Sequence, residues 1–171
     1  MAAIESPTAA NGYLNLHARL LATSYRRWTG RDLLVPTVAA DDIGCWLFEA
    51  PFALLSHRCG ADPLFTYANR TALTLFELDW AQLIAMPSRL STEPLAQAER
   101  ARLLARVSAD GFIDDYAGVR ISRSGRRFRI GKATVWNVVD AAGVQHGQAA
   151  TFAEWQPLPA TTHRTESAAF S

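Results

Sequence analysis

The residues that could do chemistry begin with Ser56 and His57, a hydroxyl beside an imidazole, and with the neighbouring acids Asp114 and Asp115. A nucleophile needs a base within hydrogen-bonding reach, and paired catalytic carboxylates must face one another. Consecutive residues of a strand point to opposite faces, so neither pair can act together where the chain is extended. The sequence also contains no glycine-rich phosphate loop and no helix-borne metal motif. We therefore expect no enzymatic activity.

Metal binding has one candidate position, around His57 and Cys59. Two residues apart on a strand, these side chains would share a face, but they would form a site only if His146 or an acidic residue converged on them. A histidine near a strand end more often only makes hydrogen bonds. The two cysteines, Cys45 and Cys59, have neither zinc-site spacing nor the number that a disulfide framework needs. We expect no metal site.

A basic stretch at 120–132, RISRSGRRFRIGK, raises the question of nucleic-acid binding. Phe128 alternates there with Arg127 and Arg129, which resembles a sheet surface that stacks bases. The net charge of the chain is only +1, however, and nearby acids such as Asp140 can neutralise part of the stretch. The sequence favours a solvated hairpin with cross-strand ion pairs, and nucleic acid is not an expected partner.

The composition is that of one globular domain with tails: 171 residues, 49% hydrophobic and 19% charged. Segments 1–11 and 157–171 are small, polar and proline-containing, which predicts disordered tails. Between them we expect an N-terminal helix and connector over 12–40 and the main domain over 41–156. Neither a signal peptide nor an apolar run long enough for a membrane span is evident, so the prediction is a cytoplasmic protein without membrane contact.

Helical spacing of apolar residues predicts helices at 12–28, 80–86 and 95–109. Gly30 is a suitable end for the first helix, and Asn69 is predicted to cap another that begins just after it. The short apolar segment 43–48 is compatible with either a helical turn or a strand.

Strand periodicity predicts five strands, at 52–57, 64–68, 116–123, 127–139 and 144–152. The first two surround a Gly/Asp/Pro turn and form a hairpin, and short glycine-containing turns join the last three as a meander. Gly131 is predicted to mark a bulge or bend in the long fourth strand. This order predicts an α+β fold of PAS topology, a five-stranded antiparallel sheet with the helices inserted between strands 2 and 3.

Six segments carry a resemblance to a known family: LLSHRCGADPLFTYAN (54–69), ALTLFEL (72–78), MPSRLSTEP (86–94), GFIDDYAGVRISRSGRRFRI (111–130), ATVWNVVDAAG (133–143) and GQAATF (147–152). Through these segments the region 55–155 resembles the MEKHLA domain, a PAS-like family. The helix at 12–28 also resembles the N-terminal extension of free-standing bacterial members. The family is known from the C-terminus of plant class-three homeodomain–leucine-zipper transcription factors, which implies a sensory or regulatory module.

The resemblance implies a ligand cavity, because PAS folds hold ligands between the inner sheet face and the helices. The apolar candidates for its lining are Phe52, Leu54, Phe65, Leu75, Leu90, Phe128, Ile130, Trp136 and Phe152, and the polar candidates are Asn69, Arg89, Asn137 and Gln148. The alternative is that these side chains simply fill the core. The predicted function is thus small-molecule sensing with signalling through protein contacts, or else a ligand-free interaction module.

The cofactor cannot be named from the sequence. In the light-sensing LOV branch of PAS domains a cysteine precedes an arginine here, whereas this chain has Ser88 before Arg89, and Gln148 lies too near the start of its strand to be the flavin-reading glutamine. This argues against LOV-type flavin, and the lack of a convincing axial ligand argues against haem. Arg89 could instead pair with an anionic ligand or bridge to an acid, for which the candidates are Glu93, Asp114 and Asp115.

Partner binding is the other expectation. The apolar side of the helix at 12–28 could pack on the outer sheet face, on its own domain as a monomer or on a second subunit. We predict a homodimer through this helix and the sheet. Since 171 residues leave no room for an effector domain, we also expect a separate effector protein.

Overall fold

The computed structural model describes residues 4–93 and 96–160. The helices and strands of these residues are α1 (Asn15–Thr29), α2 (Ile43–Phe48), β1 (Ala53–Arg58), β2 (Phe65–Ala68), α3 (Arg70–Phe76), α4 (Trp80–Ile84), α5 (Gln97–Asp110), β3 (Phe112–Ile121), β4 (Arg127–Val139), β5 (Gln145–Phe152) and β6 (Glu154–Pro157). Short 3₁₀ helices lie at Ala9–Asn11, Ala40–Asp42 and Ser88–Ser91.

The strands form one antiparallel sheet in the order β2-β1-β5-β4-β3, with α3, α4 and α5 inserted between β2 and β3. The predicted α+β, PAS-like fold is therefore confirmed. The sheet has one strand more than the five predicted, because β6 continues beyond the end of β5 and pairs with β4 from Phe128 to Gly131. A strand of four residues that ends in proline carries too little periodic signal to be found in the sequence.

Local chemistry sets the helix ends as predicted. Gly30 ends α1 with a φ of 70°, and its N–H donates to the Arg26 carbonyl at 2.9 Å. Asn69 caps α3, since its Oδ1 accepts the Ala72 N–H at 3.1 Å. The ambiguous segment 43–48 is helical, as α2.

The sheet carries a separate apolar core on each side. The inner face packs against α3, α4 and α5, and its buried residues include Leu55, Phe65, Phe76, Ile130 and Phe152. The outer face packs against α1 and α2, and its buried residues include Leu21, Tyr25, Leu54, Tyr67 and Trp136. The helix α1 is thus part of the fold, because it packs with α2 on the outer face of the sheet.

An irregularity in β4 sets which residues reach which face. The predicted bend at Gly131 is present: β4 pairs with β3 through Ile130 and then through Ala133, and Lys132 between them has a φ of 50°. Because Ile130 and Ala133 both belong to the inner core, the irregularity shifts the alternation of the strand by one residue. Every position after it lies on the face opposite to that expected from simple alternation.

The N-terminal segment is ordered where the structure describes it. The prediction of a disordered tail over 1–11 is wrong for residues 4–11, because Pro7 is buried and the Trp80 Nε1–H donates to the Ile4 carbonyl at 2.9 Å. At the other end Pro157 belongs to β6, and the Leu158 N–H donates to the Arg127 carbonyl at 2.9 Å. The remaining parts of the predicted tails, 1–3 and 161–171, lie outside the described residues.

Candidate ligand site between the sheet and α5

A small cavity lies between the inner face and α5. Its volume is about 60 Å³, and its walls include the apolar side chains of Leu55, Phe65, Ile130, Val135 and Phe152. Established small-molecule sites measure roughly 300–1,000 Å³, whereas a water molecule occupies about 30 Å³ of liquid. The inner core is therefore largely filled, with free space equivalent to about two water molecules.

An open groove runs along the other side of α5. It has a volume of about 480 Å³ and lies between α5 and the turn that joins β1 to β2. Four residues, His57, Arg100, Leu104 and Gln148, border both the groove and the cavity. The two spaces are consequently separated by single side chains.

Two arginines enter the cavity wall from different elements. Arg100 lies on α5 with Leu104 and Val107 at positions i+4 and i+7, so the three share the inward side of the helix. Arg120 lies on β3 four residues after Tyr116, and strand alternation turns both toward the inner face. Both guanidinium groups thus belong to elements whose inward sides are otherwise apolar.

Hydroxyl groups are the partners of these guanidinium groups. Arg100 Nη2 donates to Ser88 Oγ at 3.0 Å, and Arg120 Nη1 donates to Thr92 Oγ1. The Arg120 guanidinium carbon also lies 5.1 Å from the centre of the Tyr116 ring. Among the described residues no carboxylate forms an ion pair with either arginine.

Two cationic side chains border the cavity. Burial and, to a lesser extent, repulsion by Arg120 together lower the pKa of Arg100 to about 10. Burial likewise lowers the pKa of Arg120, and it lowers the pKa of His57 together with the charge of Arg100. Both arginines still carry their charge at neutral pH, so the wall presents two partly buried cations to the cavity.

An amide network fastens α5 to the sheet. Gln148 Nε2 lies within hydrogen-bonding distance of the Leu104 carbonyl at 3.2 Å, of Ser108 Oγ at 3.1 Å and of Asn137 Oδ1 at 3.1 Å. Asn137 Nδ2 donates to the Val107 carbonyl at 3.0 Å. These bonds join β4 and β5 to α5 directly behind the cavity.

A model of the MEKHLA domain family matches residues 15–157. The chain belongs to the MEKHLA family. Its curated relatives include the homeobox-leucine zipper protein ATHB-9 of Arabidopsis thaliana, which is 29% identical over 149 residues, or 80% of this chain and 17% of that protein. The homeobox-leucine zipper protein HOX32 of Oryza sativa subsp. japonica is 27% identical over 143 residues, or 81% and 16%. The chain thus spans about a sixth of the length of these relatives.

Solved structures support the PAS-like fold of this MEKHLA domain. The PAS domain of a protein from Colwellia psychrerythraea has a TM-score of 0.54 at 12% identity and covers 67% of this chain and 92% of that one. The light-state dimer of the fungal blue-light photoreceptor Vivid has a TM-score of 0.55 at 13% identity, with coverage of 88% and 97%. At these identities the likeness concerns the fold alone.

The MEKHLA domain brings some of the predicted lining residues together. Phe65, Ile130 and Gln148 border the cavity, as does Phe152. Phe128 is buried on the same face but beyond the cavity, with its ring 5.2 Å from that of Phe76.

Two of the predicted polar anchors have structural roles in the MEKHLA domain. Asn69 is fully buried, and besides capping α3 it donates to the carbonyls of Leu47 and Phe52 and accepts the Leu54 N–H at 3.1 Å. Asn137 lies one step behind the cavity wall, in the network that holds α5.

Other predicted lining residues lie elsewhere. Trp136 is on the outer face beneath α1, where its Nε1–H donates to Ser24 Oγ at 3.0 Å, and the prediction that it lines the cavity is wrong. The irregularity at Gly131 and Lys132 is the reason, because simple alternation would place Trp136 on the face of Ile130. The other residues misplaced by the prediction are Phe52 and Leu54, on the outer face, and Leu75, in a separate surface groove.

The Ser88–Leu90 segment lies at the rim of the site. Arg89 borders the open groove and pairs with Asp62 at 2.9 Å, an acid that was not among its predicted partners. Leu90 is 46% exposed and does not enter the cavity. Ser88 is buried and its hydroxyl is engaged by Arg100, so this position offers no thiol for a flavin adduct.

Arg100, Arg120 and Tyr116 are the site residues that sequence reasoning missed. Arg100 lies among acidic and basic residues of α5, a pattern that is typical of a solvated helix face. Arg120 belongs to the basic stretch at 120–132, for which the sequence favours a solvated hairpin. The position of each arginine within its element could have identified it. Arg100 falls in the apolar stripe of α5, and Arg120 shares a strand face with the aromatic residue Tyr116.

The remaining candidate residues have other contacts among residues 4–93 and 96–160. His57 Nδ1 lies 2.9 Å from the Arg58 carbonyl, and no three His, Cys, Asp or Glu side chains of these residues converge as metal ligands. In the basic stretch Arg126 pairs with Glu77 at 3.0 Å and Arg127 pairs with Glu93, acids that lie outside the hairpin. In the same residues no helix has the length and apolar character needed to cross a bilayer.

Proposed function

We propose that this MEKHLA domain is a sensory or regulatory module that binds a small molecule between the inner face and α5 and passes the signal on through protein contacts, without catalysing a reaction. The observation that carries the proposal is the shared wall between groove and cavity. A molecule in the groove needs only to displace Arg100 and Leu104 to reach the inner core. The relatives named as homeobox-leucine zipper proteins support a regulatory setting.

The helix α5 is suited to move. It has 14 residues, of which only Val107 is fully buried, whereas five of the 15 residues of α1 are buried. Elements with few buried apolar contacts open at low free-energy cost. An outward shift of α5 would enlarge the cavity of about 60 Å³ and at the same time change the surface that a partner contacts.

A cavity-filling variant tests this proposal. Ala133 lies in the cavity wall and is fully buried, so Ala133→Val adds two methyl groups to the free space. Ala22→Val, at a buried position of α1 that faces the outer side of the sheet, is the matched control. We expect wild-type protein and the control to raise their Tm with compounds from a small-molecule library, and Ala133→Val to lose these shifts. If no compound distinguishes Ala133→Val from wild type, the cavity is not a binding site.

A ligand-free interaction module is the second candidate, favoured by one exposed surface. Leu16 on α1 is 83% exposed and Ile4 is 43% exposed, and the two border a groove of about 530 Å³ together with Leu14 and Leu20. The opposite side of α1 packs on the outer face of the sheet. A homodimer that keeps α1 in place would therefore form through the exposed surface around Leu16 and not through the outer face of the sheet. Light scattering would then give a dimer for wild type and for Arg19→Glu, and a monomer for Leu16→Glu. An identical mass for all three argues against this surface.

A further inference from the structure

We propose that the molecule bound at the inner face is a short-chain monocarboxylate whose head group is held jointly by Arg100 and Arg120. This inference rests on the proposed function, since it names the ligand class of the same cavity. Its basis is the juxtaposition of two cationic side chains, from α5 and from β3, at one apolar cavity.

The two arginines have unused hydrogen-bonding capacity. A guanidinium group carries five N–H donors. Among the described residues, Arg100 donates to Ser88 and Arg120 donates to Thr92, and Arg120 also has the Tyr116 hydroxyl within hydrogen-bonding reach, which leaves most of the ten donors unassigned. A carboxylate accepts bidentate hydrogen bonds from guanidinium, and its charge would offset the repulsion that lowers the pKa of Arg100.

The nearest acid in the sequence already has a partner. Glu93 follows Thr92 directly, but its carboxylate pairs with Arg127, and both of these side chains are about one-quarter exposed. A counter-charge for Arg100 and Arg120 therefore has to come from an anion outside the described residues. Charges that are partly buried without a counter-charge cost stability, so their presence here favours a binding role over a structural one.

The rest of the cavity sets the size and charge of the ligand. Around the arginines the wall is mainly apolar, with Leu55, Phe65 and Phe152, which suits a hydrocarbon body. The wall also includes His57, Tyr116 and Gln148, which can donate further hydrogen bonds, so the preference for a carboxylate over phosphate rests on the apolar body of the cavity and on its small volume. Because about 60 Å³ is equivalent to about two water molecules, a chain of three or four carbons requires the outward shift of α5 proposed above, and a longer chain requires a larger shift.

Titration calorimetry with the wild-type chain tests the ligand class. The probes are acetate, propionate, butyrate and hexanoate, the alcohols of matching length, and inorganic phosphate, all at one ionic strength set with chloride. We expect propionate or butyrate to bind more tightly than the matching alcohol and than phosphate. Arg120→Gln should weaken carboxylate binding about tenfold or more, because one charge-assisted donor is lost. Arg123→Gln, at an exposed position three residues further along the same hairpin, should leave it unchanged.

The outcomes separate this inference from the proposed function. Equal binding of carboxylates and alcohols, or equal binding of phosphate, would overturn the carboxylate assignment while leaving a ligand cavity. If none of these probes binds, and no library compound distinguishes Ala133→Val, both proposals fail. Should Arg120→Gln not fold, Arg120→Lys keeps the charge but loses bidentate geometry, and it should also weaken binding. The preference of the wild-type chain for carboxylate over alcohol needs no variant.

Discussion

The two faces of the sheet differ in how tightly they are packed and in how their polar groups are paired. On the outer face Trp136 is fully buried against Tyr25, with ring centres 5.0 Å apart and edge-to-face geometry, and its N–H is bonded to Ser24. On the inner face, Arg100 and Arg120 border a cavity with no carboxylate partner among the described residues. The outer face pairs the indole N–H of Trp136 but buries the Tyr67 hydroxyl without a partner among the described residues, whereas the inner face retains free space and two charges without a carboxylate partner.

This difference assigns stability to one face and adaptability to the other. Dense packing with satisfied hydrogen bonds is what a unique native structure requires. Loose packing and unpaired charge persist in proteins where function benefits from them. The stability that they cost is supplied by other parts of the fold. In this domain α1 has five buried residues and α5 has one, and hydrogen bonds from Asn137 and Gln148 supply much of the attachment of α5.

The largest expected effect comes from the outer face. Trp136→Ala removes a fully buried ring that contacts Tyr25, and it leaves the hydroxyl of Ser24 without its donor. We expect the free energy of unfolding in urea to fall by about 3–5 kcal/mol.

Leu16→Ala is the control for this experiment, since Leu16 lies on the same face of the molecule but is 83% exposed. Its unfolding free energy should stay within about 0.5 kcal/mol of wild type. A loss of less than about 1 kcal/mol for Trp136→Ala would mean that the outer face is not the stabilising one.

A pH dependence is the second expected effect, and it also belongs to the outer face. His17 Nε2 lies 3.0 Å from Ser56 Oγ, and burial, with repulsion from His146, lowers the pKa of His17 to about 4. Above pH 6.5 the imidazole is neutral in both folded and unfolded chains. As the pH falls from 6.5 toward 4, the unfolded chain takes up a proton that the folded chain refuses, so stability is lost over that range. The expected loss at pH 4.5 is roughly 2 kcal/mol.

His17→Gln isolates this contribution from the other titrating groups. Glutamine can keep a hydrogen bond to Ser56 but does not titrate, so urea unfolding of the variant should lose about 2 kcal/mol less than wild type between pH 7 and pH 4.5. Parallel stability curves for the two proteins would contradict the burial of a neutral His17 between α1 and the outer face of the sheet.

The fold could be predicted from the sequence because its signals are local. Asn69 and Gly30 mark helix ends by their own chemistry, and the alternation over 127–139 marks β4 with the bounds that the structure has. β6 was missed because it is held by pairing with β4 and not by a pattern of its own.

The site was less predictable because it depends on register between elements. The face of Trp136 is set by an irregularity five residues earlier at Gly131, and alternation alone cannot show which residue of a bulge is extra. The inward direction of Arg100 depends on how α5 is rotated against the sheet. Charge patterns describe a helix surface, but they do not say which part of it is buried.

The smallest expected effect has the opposite sign and comes from the inner face. Arg120→Met keeps an apolar stem against Tyr116 but removes a partly buried charge that repels Arg100. The hydroxyl contact with Thr92 and the aromatic contact are lost, which costs about 1 kcal/mol, while relief of desolvation and repulsion acts the other way. We expect the free energy of unfolding to be unchanged or to rise by about 1 kcal/mol.

Arg127→Met sharpens the contrast, because this nearby arginine has the carboxylate of Glu93 as its partner. Breaking that pair leaves Glu93 partly buried without its partner, so the unfolding free energy of the Arg127→Met variant should fall by about 1 kcal/mol. An equal loss for Arg120→Met would make Arg120 a structural residue and weaken the case for an anion at the cavity. A gain for Arg120→Met beside a loss for Arg127→Met would show that the inner face retains a charge which the fold itself does not need.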